Sequence, residues 1–458
     1  MEASGNAVGL PAGFVGNSEV GHITIGAGRR IEQSLLRINN SIKDGTFFRN
    51  DAVLHLIQNV KKKKTRLHLI GILQKEGIHG YLPHFEALLK YAKKEGLSND
   101  DVILHIFTDG RDAYPKNAIN YLAELAEIIS KQKVGIVATI AGRYFGMDRN
   151  NNLDRTKKSF QAIFEAQGEN FDCGLEKLEE KYQQGITDEF IEPLVKNGYG
   201  GVKNDDSVFF VNFRKDRARQ LTKMILENEN KYRLKFASMT RYYKEQNSEI
   251  AFDDLIPRNT LGDILEKTGK SQLRISETEK FAHVTFFFDG GVAKKQKNRD
   301  DIIIPSPRVT TYDLKPEMSS KRLTEITLTE IRKEKYGFIL LNFPNADMVG
   351  HTGNIESTEK AIEAIDKSCQ LITEEALKEN YIVILTADHG NAEEMIGKNI
   401  TSHSKNLVPT TIISKEKLTI KKNKLFSKER FSLQNIAPTV LALMGIKKPE
   451  EMSESMVK

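Results

Sequence analysis

The chain has 458 residues, which is enough for about two or three domains and too many for a single hydrophobic core. Its 68 basic and 62 acidic residues leave a net charge of +6, and so small an imbalance gives no support to a nucleic-acid partner. Hydrophobic residues at 39% and charged residues at 28% argue against disorder. The sequence has no apolar run of the roughly 18–20 residues that a membrane-spanning helix needs.

Three features of the sequence favour ordinary structural roles over special functions: the cysteines, the lysine runs and the N-terminal residues. The two cysteines are too few for a disulfide scaffold or a thiolate metal site. One of them belongs to an apolar stripe at helical spacing, which predicts packing: Ile362, Ile365, Cys369 and Ile372. The lysine runs 61–64 and 421–424 lack interleaved aromatic residues, which favours solvated surface over anion-binding patches. The N-terminal residues show no secretory pattern, so we expect a cytoplasmic protein.

Short β-rich runs alternate with helical patterns along the chain. Runs rich in β-branched and aromatic residues predict strands at 66–73, 102–108, 134–141, 207–213, 282–288, 336–342, 381–386 and 410–413. Helical spacing predicts a helix carrying Ile119, Leu122, Leu125 and Ile129. This alternation predicts an α/β fold with mostly parallel sheets, in which functional residues collect beyond the carboxyl ends of the strands.

Carboxylate and imidazole groups follow two of these predicted strands. Asp347 and His351 stand four residues apart after the run 336–342, and Asp388 and His389 follow the run 381–386. His403 lies in a polar loop soon afterwards. Taken singly, each is a capping carboxylate or a hydrogen-bonded histidine, but the three elements together favour a divalent metal such as Mn²⁺ or Zn²⁺.

The number of these side chains bears on the chemistry. Five are too many for one catalytic metal that keeps an open position, and few for two metals. A pair of metals can activate a nucleophile and stabilise the leaving oxygen of a phosphoryl transfer. The sequence should therefore also contain a nucleophile and an anion-binding pocket.

Residues 16–22, Gly-Asn-Ser-Glu-Val-Gly-His, offer a candidate nucleophile. Ser18 stands between two glycines, with a helix-like stretch after it. A serine at a helix N-terminus meets free N–H groups and the positive end of the helix dipole, which favour phosphate. A plain serine N-cap explains this motif equally well.

Arginines supply a candidate anion pocket, because they follow predicted strands in three places. The segments are 108–112, 141–149 and 213–219. Guanidinium groups that converge from several strand ends suit bidentate recognition of phosphate and carboxylate. Arg219 is predicted to be a structural ion-pair residue instead.

In combination these segments resemble the cofactor-independent phosphoglycerate mutases. The resemblance lies in residues 16–22, 111–112, 143–149, 212–220, 272–288, 345–353 and 387–391, and it runs from Glu2 to the region 436–445. The metal segments alone would indicate only the wider alkaline-phosphatase-like superfamily.

The resemblance implies two α/β domains. A phosphatase-like domain with a doubly wound sheet would comprise residues 1–32 and 256–458. An inserted transferase domain would comprise 33–255, with hinges at its ends. The implied reaction is the interconversion of 3- and 2-phosphoglycerate in glycolysis and gluconeogenesis, through a phosphoserine and two metal ions, most commonly Mn²⁺, without bisphosphoglycerate.

The resemblance also implies roles for single residues. Ser18 would be the nucleophile, Asp112 would handle hydroxyl protons, and Lys280 would balance charge on the transferring group. One metal would be bound by Asp347, His351 and His403, and the other by Ser18, Asp388 and His389. Substrate contacts would come from His79, Arg111, Asp112, Arg143, Arg149, Arg214, Arg217 and Lys280. Domain closure would exclude water, since hydrolysis of the phosphoserine would turn a mutase into a phosphatase.

The remaining expectations concern partners. The partner would be a small-molecule phosphoglycerate, with no nucleic acid and no membrane, and the protein would be a monomer. A metal-dependent phosphomonoesterase and an inactive relative that keeps the fold are the alternative functions.

Three departures from the family pattern accompany the resemblance. The segment around His79 is poorer in glycine than usual and lacks a second histidine soon after it, and Asp289 stands where the family usually has Asn. Family members begin with a strand ending in an Asp-Gly turn whose Asp binds the metal that also binds the serine, and this sequence starts after that element. We expect the element to lie upstream of Met1; the alternative is a short chain with a weakened metal site and an unpaired strand edge.

Overall fold

The computed structural model describes residues 1–395, 401–421 and 430–458. The predicted lysine run 421–424 therefore falls outside the described residues, apart from Lys421. The chain divides into two compact units: unit 1 is Met1–Gln33 with Leu255–Lys458, and unit 2 is Ser34–Asp254. Among the described residues no helix is both long and apolar enough to cross a membrane.

The first α-helix of unit 1 is α1 (Ser18–Ala27). Unit 2 follows it in the chain and contains a sheet of eight strands in the order β4-β5-β3-β2-β1-β6-β7-β8. The strands are β1 (Leu67–Ile72), β2 (Val102–Thr108), β3 (Ile136–Gly142), β4 (Glu169–Phe171), β5 (Leu194–Lys196), β6 (Ser207–Phe210), β7 (Lys235–Ser238) and β8 (Glu249–Ile250). The helices are α2 (Ser34–Asp44), α3 (Asp51–Lys63), α4 (Leu82–Lys94), α5 (Ala118–Gln132), α6 (Arg143–Gly146), α7 (Leu153–Glu165), α8 (Gly174–Gln183), α9 (Arg219–Glu227) and α10 (Glu229–Tyr232).

The strands at the centre of this sheet are parallel, and every residue of β1, β2 and β6 is buried. Only the pairing of β3 with β5 is antiparallel among the strands described in this sheet. Strands buried on both faces have continuous apolar sequences, which is why the predicted strands 66–73, 102–108, 134–141 and 207–213 are confirmed within a few residues. Helix α5 confirms the helix predicted from Ile119 to Ile129.

The later part of unit 1 contains two small sheets. A parallel sheet has the order β10-β9-β11, formed by β9 (Gln272–Glu277), β10 (Arg299–Ile304) and β11 (Phe338–Asn342). An antiparallel pair is formed by β12 (Val383–Thr386) and β13 (Thr410–Ile413). Helices α11 (Leu261–Lys267), α12 (Thr278–Ala282), α13 (Ser320–Arg332), α14 (Asn345–Gly350), α15 (Ile355–Lys378) and α16 (Ile436–Leu443) surround them. In the described part of the chain β11 is an edge strand, and its five residues are partly exposed.

The strand predicted at 282–288 is wrong. These residues follow α12 as a turn of π-helix, His283–Phe287, in which Val284 and Phe288 are buried at helical spacing while Phe286 is exposed. The strand precedes this segment: it is β9, whose six residues are all buried although several are polar. Arg274 of β9 stacks on Phe288 with its guanidinium carbon 4.2 Å from the ring centroid, which offsets part of the cost of burying the charge.

The two ends of the chain meet in the core of unit 1. The N-terminal ammonium of Met1 lies 2.6 Å from the carbonyl oxygen of Val408, and Glu2 forms a β-bridge with Ser432. Helix α1 packs against the backbone after β12, where a Cβ on Gly21 would lie 2.5 Å from the carbonyl oxygen of Asp388. Only glycine permits this approach, which brings the start of α1 next to the carboxyl end of β12.

Candidate active site

Four elements of unit 1 deliver polar side chains to one place. Helix α14 follows β11 and carries Asp347, and the turn after β12 carries Asp388 and His389. Helix α12 follows β9 and carries Lys280, while α1 carries Ser18 at its first position. The carboxyl ends of strands thus provide most of these groups, as expected in an α/β fold.

Asp347, His351 and His403 converge through three atoms. The Oδ1 atom of Asp347 lies 3.2 Å from Nε2 of His351 and 3.2 Å from Nε2 of His403. The two Nε2 atoms are 3.1 Å apart. Ligands held at about 2.0–2.2 Å from a tetrahedral metal lie roughly 3.3–3.6 Å from each other, so the triangle has nearly the size that a metal requires.

Backbone carbonyls fix the tautomers of the histidines. Nδ1 of His351 lies 2.8 Å from the carbonyl oxygen of Thr401, and Nδ1 of His403 lies 2.8 Å from that of Gly16. His389 has the same arrangement with its own neighbour, because its Nδ1 is 3.2 Å from the oxygen of Gly390. A carbonyl oxygen only accepts, so each Nδ1 carries the proton and each Nε2 presents a lone pair to the site.

This donor set fits a divalent cation. When the imidazoles are neutral, their Nε2 lone pairs and a carboxylate converge on one place, and that arrangement is unfavourable unless a cation occupies the centre. Among the described residues, the ligand atoms of Asp347, His389 and His403 all lie within 4.8 Å of one another. Burial acts to raise the pKa of Asp347, but its contacts with His351 and His403 and the charge of Lys280 outweigh it and keep the pKa far below its ordinary value.

Asp388 and His389 form the second part of the cluster. Nε2 of His389 is 3.8 Å from Oδ2 of Asp388 and 3.8 Å from Oδ1 of Asp347, so it stands between the two carboxylates. Nδ1 of His22 lies 3.2 Å from Oδ2 of Asp388. Burial acts to raise the pKa of Asp388, but the neighbouring His389 and His22 and the charge of Lys280 outweigh it, so the pKa is far below its ordinary value and the carboxyl stays ionised.

Ser18 lies beside this cluster, and it does not cap α1. Asn17 is the N-cap, and its side chain accepts a hydrogen bond from the N–H of Val20 at 3.1 Å. The Ser18 hydroxyl is instead 2.8 Å from Nε2 of His389 and accepts a hydrogen bond from Nζ of Lys280 at 2.6 Å. The plain N-cap interpretation is therefore wrong. Lys280 also donates to Asp347, and both Ser18 and Lys280 are buried.

In unit 2, the carboxyl ends of four adjacent strands carry the predicted substrate residues. The order β3-β2-β1-β6 places Arg143 after β3, Arg111 and Asp112 after β2, His79 after β1, and the segment 214–217 after β6. Arg143 donates from Nη1 to Asp112 at 2.5 Å and from Nη2 to Nε2 of His79 at 3.0 Å. Burial and the charge of Arg143 lower the pKa of His79 to about 3, so this histidine is neutral.

The other predicted substrate arginines of unit 2 lie around the same place. Nη1 of Arg149 and Nε of Arg214 lie 2.8 and 3.2 Å from the carboxylate of Asp216. Nη1 of Arg217 donates to the carbonyl oxygen of Met147 at 3.1 Å. Burial and the neighbouring charges of Arg143, Arg149 and Arg111 lower the pKa of Arg217. Such mutual repulsion among guanidinium groups is typical of a site that takes up an anion.

Three residues named in the sequence analysis have contacts that the sequence did not indicate. The side chain of Arg111 is about half exposed and lies 3.6 Å from Glu189. Arg219, predicted to be an ion-pair residue, donates from Nε to the carbonyl oxygen of Tyr242 at 3.1 Å. Asp289, at the position where the family usually has Asn, pairs with Arg299 at 2.5 Å.

Several residues that touch the predicted ones were missed. In unit 1, Asn391 donates to Oδ1 of Asp347 at 2.7 Å, and His22 approaches Asp388. In unit 2, Gln74, Asp109 and Asp216 contact predicted substrate residues directly: His79, Arg143 and Arg149 respectively. All five lie within a few residues of a predicted one, and that proximity was the only sequence signal for them.

Comparison with known proteins identifies the family. A family model described as the Metalloenzyme superfamily matches residues 1–448. The 2,3-bisphosphoglycerate-independent phosphoglycerate mutase of Clostridium kluyveri is 43% identical over 100% of this chain and 91% of its own length. The protein of the same name from Clostridium tetani is 43% identical over 99% of this chain and 90% of its own length.

A solved structure agrees with these relatives. A crystal structure of Leishmania mexicana phosphoglycerate mutase at low cobalt concentration has a TM-score of 0.71 and 27% identity, and the match covers 100% of this chain and 90% of that one. The predicted α/β, alkaline-phosphatase-like fold class is confirmed. The chain belongs to the 2,3-bisphosphoglycerate-independent phosphoglycerate mutases, within the Metalloenzyme superfamily.

Proposed function

We propose that this chain interconverts 3-phosphoglycerate and 2-phosphoglycerate through a phosphoserine at Ser18, without 2,3-bisphosphoglycerate. The observation that carries the proposal is the position of the Ser18 hydroxyl, between the ammonium of Lys280 at 2.6 Å and Nε2 of His389 at 2.8 Å. A hydroxyl held beside an ammonium group and a metal-binding imidazole is a serine prepared for nucleophilic attack. The family membership gives the substrate.

Two divalent metal ions, which we propose to be Mn²⁺, complete the site. Asp347, His351 and His403 would hold one, and Ser18, Asp388 and His389 would hold the other. Imidazole and carboxylate ligands suit Mn²⁺, and the three Nε2 lone pairs described above support this ligand set. When bound, the metal ions would supply positive charge that favours the alkoxide of Ser18 and stabilises the transferring phosphoryl group.

The protein groups of unit 1 have two tasks in phosphoryl transfer. Burial lowers the pKa of His389, so its ring is neutral and Nε2, 2.8 Å from the Ser18 oxygen, offers the lone pair that would hold a metal ion beside the attacking hydroxyl. Lys280, buried beside Ser18, donates to the oxygen that attacks phosphorus and balances the charge that the phosphoryl group brings. Neither group has to move far, because each already contacts the Ser18 hydroxyl.

The proposed role of unit 2 is to bind the glycerate. Arg111, Arg143, Arg149, Arg214 and Arg217 provide guanidinium groups that recognise carboxylate and phosphate in a bidentate manner. Asp112 is the acceptor for hydroxyl protons, and its contact with Arg143 keeps its carboxylate close to where those groups converge. The mutase has to keep the glycerate bound, since the phosphate must return to the other hydroxyl of the same molecule. His79 and Lys280 complete the proposed contacts.

The proposal includes the setting of the enzyme. We propose a monomer in the cytoplasm whose partner is the small-molecule phosphoglycerate, with no nucleic acid and no membrane. Gel filtration with light scattering tests the monomer, and a mass near that of two chains contradicts it.

Phosphorus NMR tests the reaction. Protein loaded with Mn²⁺ receives 3-phosphoglycerate without any bisphosphoglycerate, and we expect 2-phosphoglycerate to form and EDTA to stop its formation. Ser18→Ala should abolish turnover, whereas Ser455→Ala, which changes a similarly buried serine of the same unit, should retain it. Inorganic phosphate as the sole product would indicate a phosphatase. Turnover that survives Ser18→Ala would exclude the phosphoserine route.

A further inference from the structure

A buried carboxylate that the sequence did not single out contacts the arginine cluster of unit 2, by which we mean Arg111, Arg143, Arg149, Arg214 and Arg217. Asp109 directly follows β2, and only 2% of its surface is exposed. Its Oδ1 atom accepts from Nη1 of Arg143 at 2.5 Å. The same oxygen accepts from the backbone N–H groups of Arg111 at 3.2 Å and Asp112 at 3.1 Å. One carboxylate therefore fixes the guanidinium of Arg143 and the turn that carries Arg111 and Asp112.

Gln74 connects this carboxylate to a fourth predicted substrate residue. It is fully buried two residues after β1, and its Nε2 donates to Oδ2 of Asp109 at 2.7 Å. Its Oε1 accepts from the backbone N–H groups of His79 at 2.7 Å and Gly80 at 3.0 Å. The turn at His79 is thus held by the same pair of side chains that holds Arg143.

Neither side chain is placed to touch a substrate. Both are buried, and their hydrogen bonds are directed to protein groups. Nη2 of Arg143 donates to His79, so the positions of His79 and Arg143 depend on each other as well as on Gln74 and Asp109. Bonds of this buried network join the segments that follow β1, β2 and β3, and loss of one bond leaves its buried partner unsatisfied.

We propose that Gln74 and Asp109 form a positioning pair that sets His79, Arg111, Asp112 and Arg143 in their binding geometry before the substrate arrives. The inference rests on the proposed role of the arginine cluster in binding phosphoglycerate. Such preorganisation strengthens binding because the protein does not have to order these groups when the ligand binds. A displacement of about 1 Å at a binding group can cost roughly 100-fold in rate, so a pair that touches no substrate can still control substrate recognition.

Two nearly isosteric variants test the pair. Gln74→Met removes all three hydrogen bonds of the amide, and Asp109→Asn removes the charge that faces Arg143. We expect each to raise KM for 3-phosphoglycerate about tenfold or more, with a smaller change in kcat and no change in Mn²⁺ affinity. The double variant should cost less than the product of the single effects, because both changes break the same network.

Matched controls separate positioning from general stability. Gln246→Met and Asp206→Asn change a glutamine and an aspartate of unit 2 that are equally buried and hydrogen-bonded, to Ser238 and Tyr242 and to His68 respectively. They should lower the thermal midpoint by a similar amount and leave KM unchanged. If either test variant unfolds, the other carries the test alone, and both are compared with the controls at temperatures where all remain folded.

The outcomes distinguish the inference from the function on which it rests. Arg149→Ala changes a predicted substrate arginine whose side chain is 45% exposed, so we expect the variant to fold. If Arg149→Ala leaves KM unchanged, the proposed role of the arginine cluster fails. If Arg149→Ala raises KM while Gln74→Met and Asp109→Asn behave like their controls, the cluster binds substrate and the positioning pair is overturned.

Discussion

The cluster around Ser18 in unit 1 and the cluster around Arg143 in unit 2 are built on opposite principles. In unit 1, backbone carbonyls accept hydrogen bonds from Nδ1 of the histidines, so the Nε2 lone pairs remain free to bind a ligand. In unit 2, carboxylates hold arginines from one side, and what remains free is a set of N–H groups. The first arrangement attracts a cation and the second an anion. The charge that a site can bind therefore depends on which atoms the protein has already satisfied.

The largest effect should come from removing the centre of the unit 1 cluster. Asp347→Ala removes the oxygen that lies 3.2 Å from two histidine nitrogens, and we expect metal affinity to fall by more than about 100-fold, with loss of turnover. Metal content after dialysis measures this, with the exposed Asp366→Ala as control. Bound metal at the level of the parent protein would show that the cluster is not the metal site.

A change in unit 2 should weaken substrate binding and leave metal affinity unchanged. Burial and three neighbouring arginines lower the pKa of Arg217. Arg217→Met removes this guanidinium, and we expect KM to rise about 10- to 100-fold. Because repulsion is relieved, the free energy of unfolding should stay the same or rise by at most about 1 kcal/mol. Kinetics and urea unfolding measure the two quantities. A marked loss of stability with unchanged KM contradicts the anion-site interpretation.

A smaller effect on metal affinity should follow from His22→Asn. Nδ1 of His22 lies 3.2 Å from Asp388, and groups that orient a metal-binding carboxylate typically contribute 10- to 100-fold in affinity, so we expect a decrease of about tenfold. Competition titration with a metal indicator measures it. His55→Asn, an exposed histidine of unit 2, is the control, and equal affinities for both variants would remove His22 from the site.

The smallest effect concerns the stability of unit 1. Burial raises the pKa of Glu277 to about 7, above its unfolded value, so the unfolded chain ionises first as the pH rises. Stability is then lost between about pH 4.5 and 7, and Glu277→Gln should be more stable than the parent at pH 8 by at most about 3 kcal/mol, with little difference near pH 4.5.

Urea unfolding at the two pH values measures this difference. The exposed Glu359→Gln is the control, and it should show no such dependence on pH. A stability difference between Glu277→Gln and the parent that is equal at both pH values would contradict the assignment.

Much of the fold followed from local patterns. The bounds of β2 are those predicted, because a parallel strand buried on both faces needs an uninterrupted apolar sequence. The same reasoning failed at 282–288, where an aromatic run with strand propensity forms helical turns. Propensity describes what a segment favours alone, and the packing of Val284 and Phe288 into the core decided the outcome here. Strand β9 was missed because its buried polar residues find partners that only the folded chain provides.

The candidate site shows the same division. Ser18, the metal-binding candidates and the arginines were identified because their residue types and spacings are unusual in themselves. Gln74, Asp109 and Asp216 were not, since a glutamine or aspartate after a strand is common and acquires a role only through what it touches.

The sequence by itself determined the chemical groups, the strands that carry most of them, and the family. The tertiary structure decided which atoms of those groups remain free. Which atoms remain free depends on partners far away in the chain. The carbonyl oxygen of Gly16, for example, fixes the tautomer of His403. Hydrogen bonds of this kind have no periodicity, so the sequence carries no pattern from which they can be read.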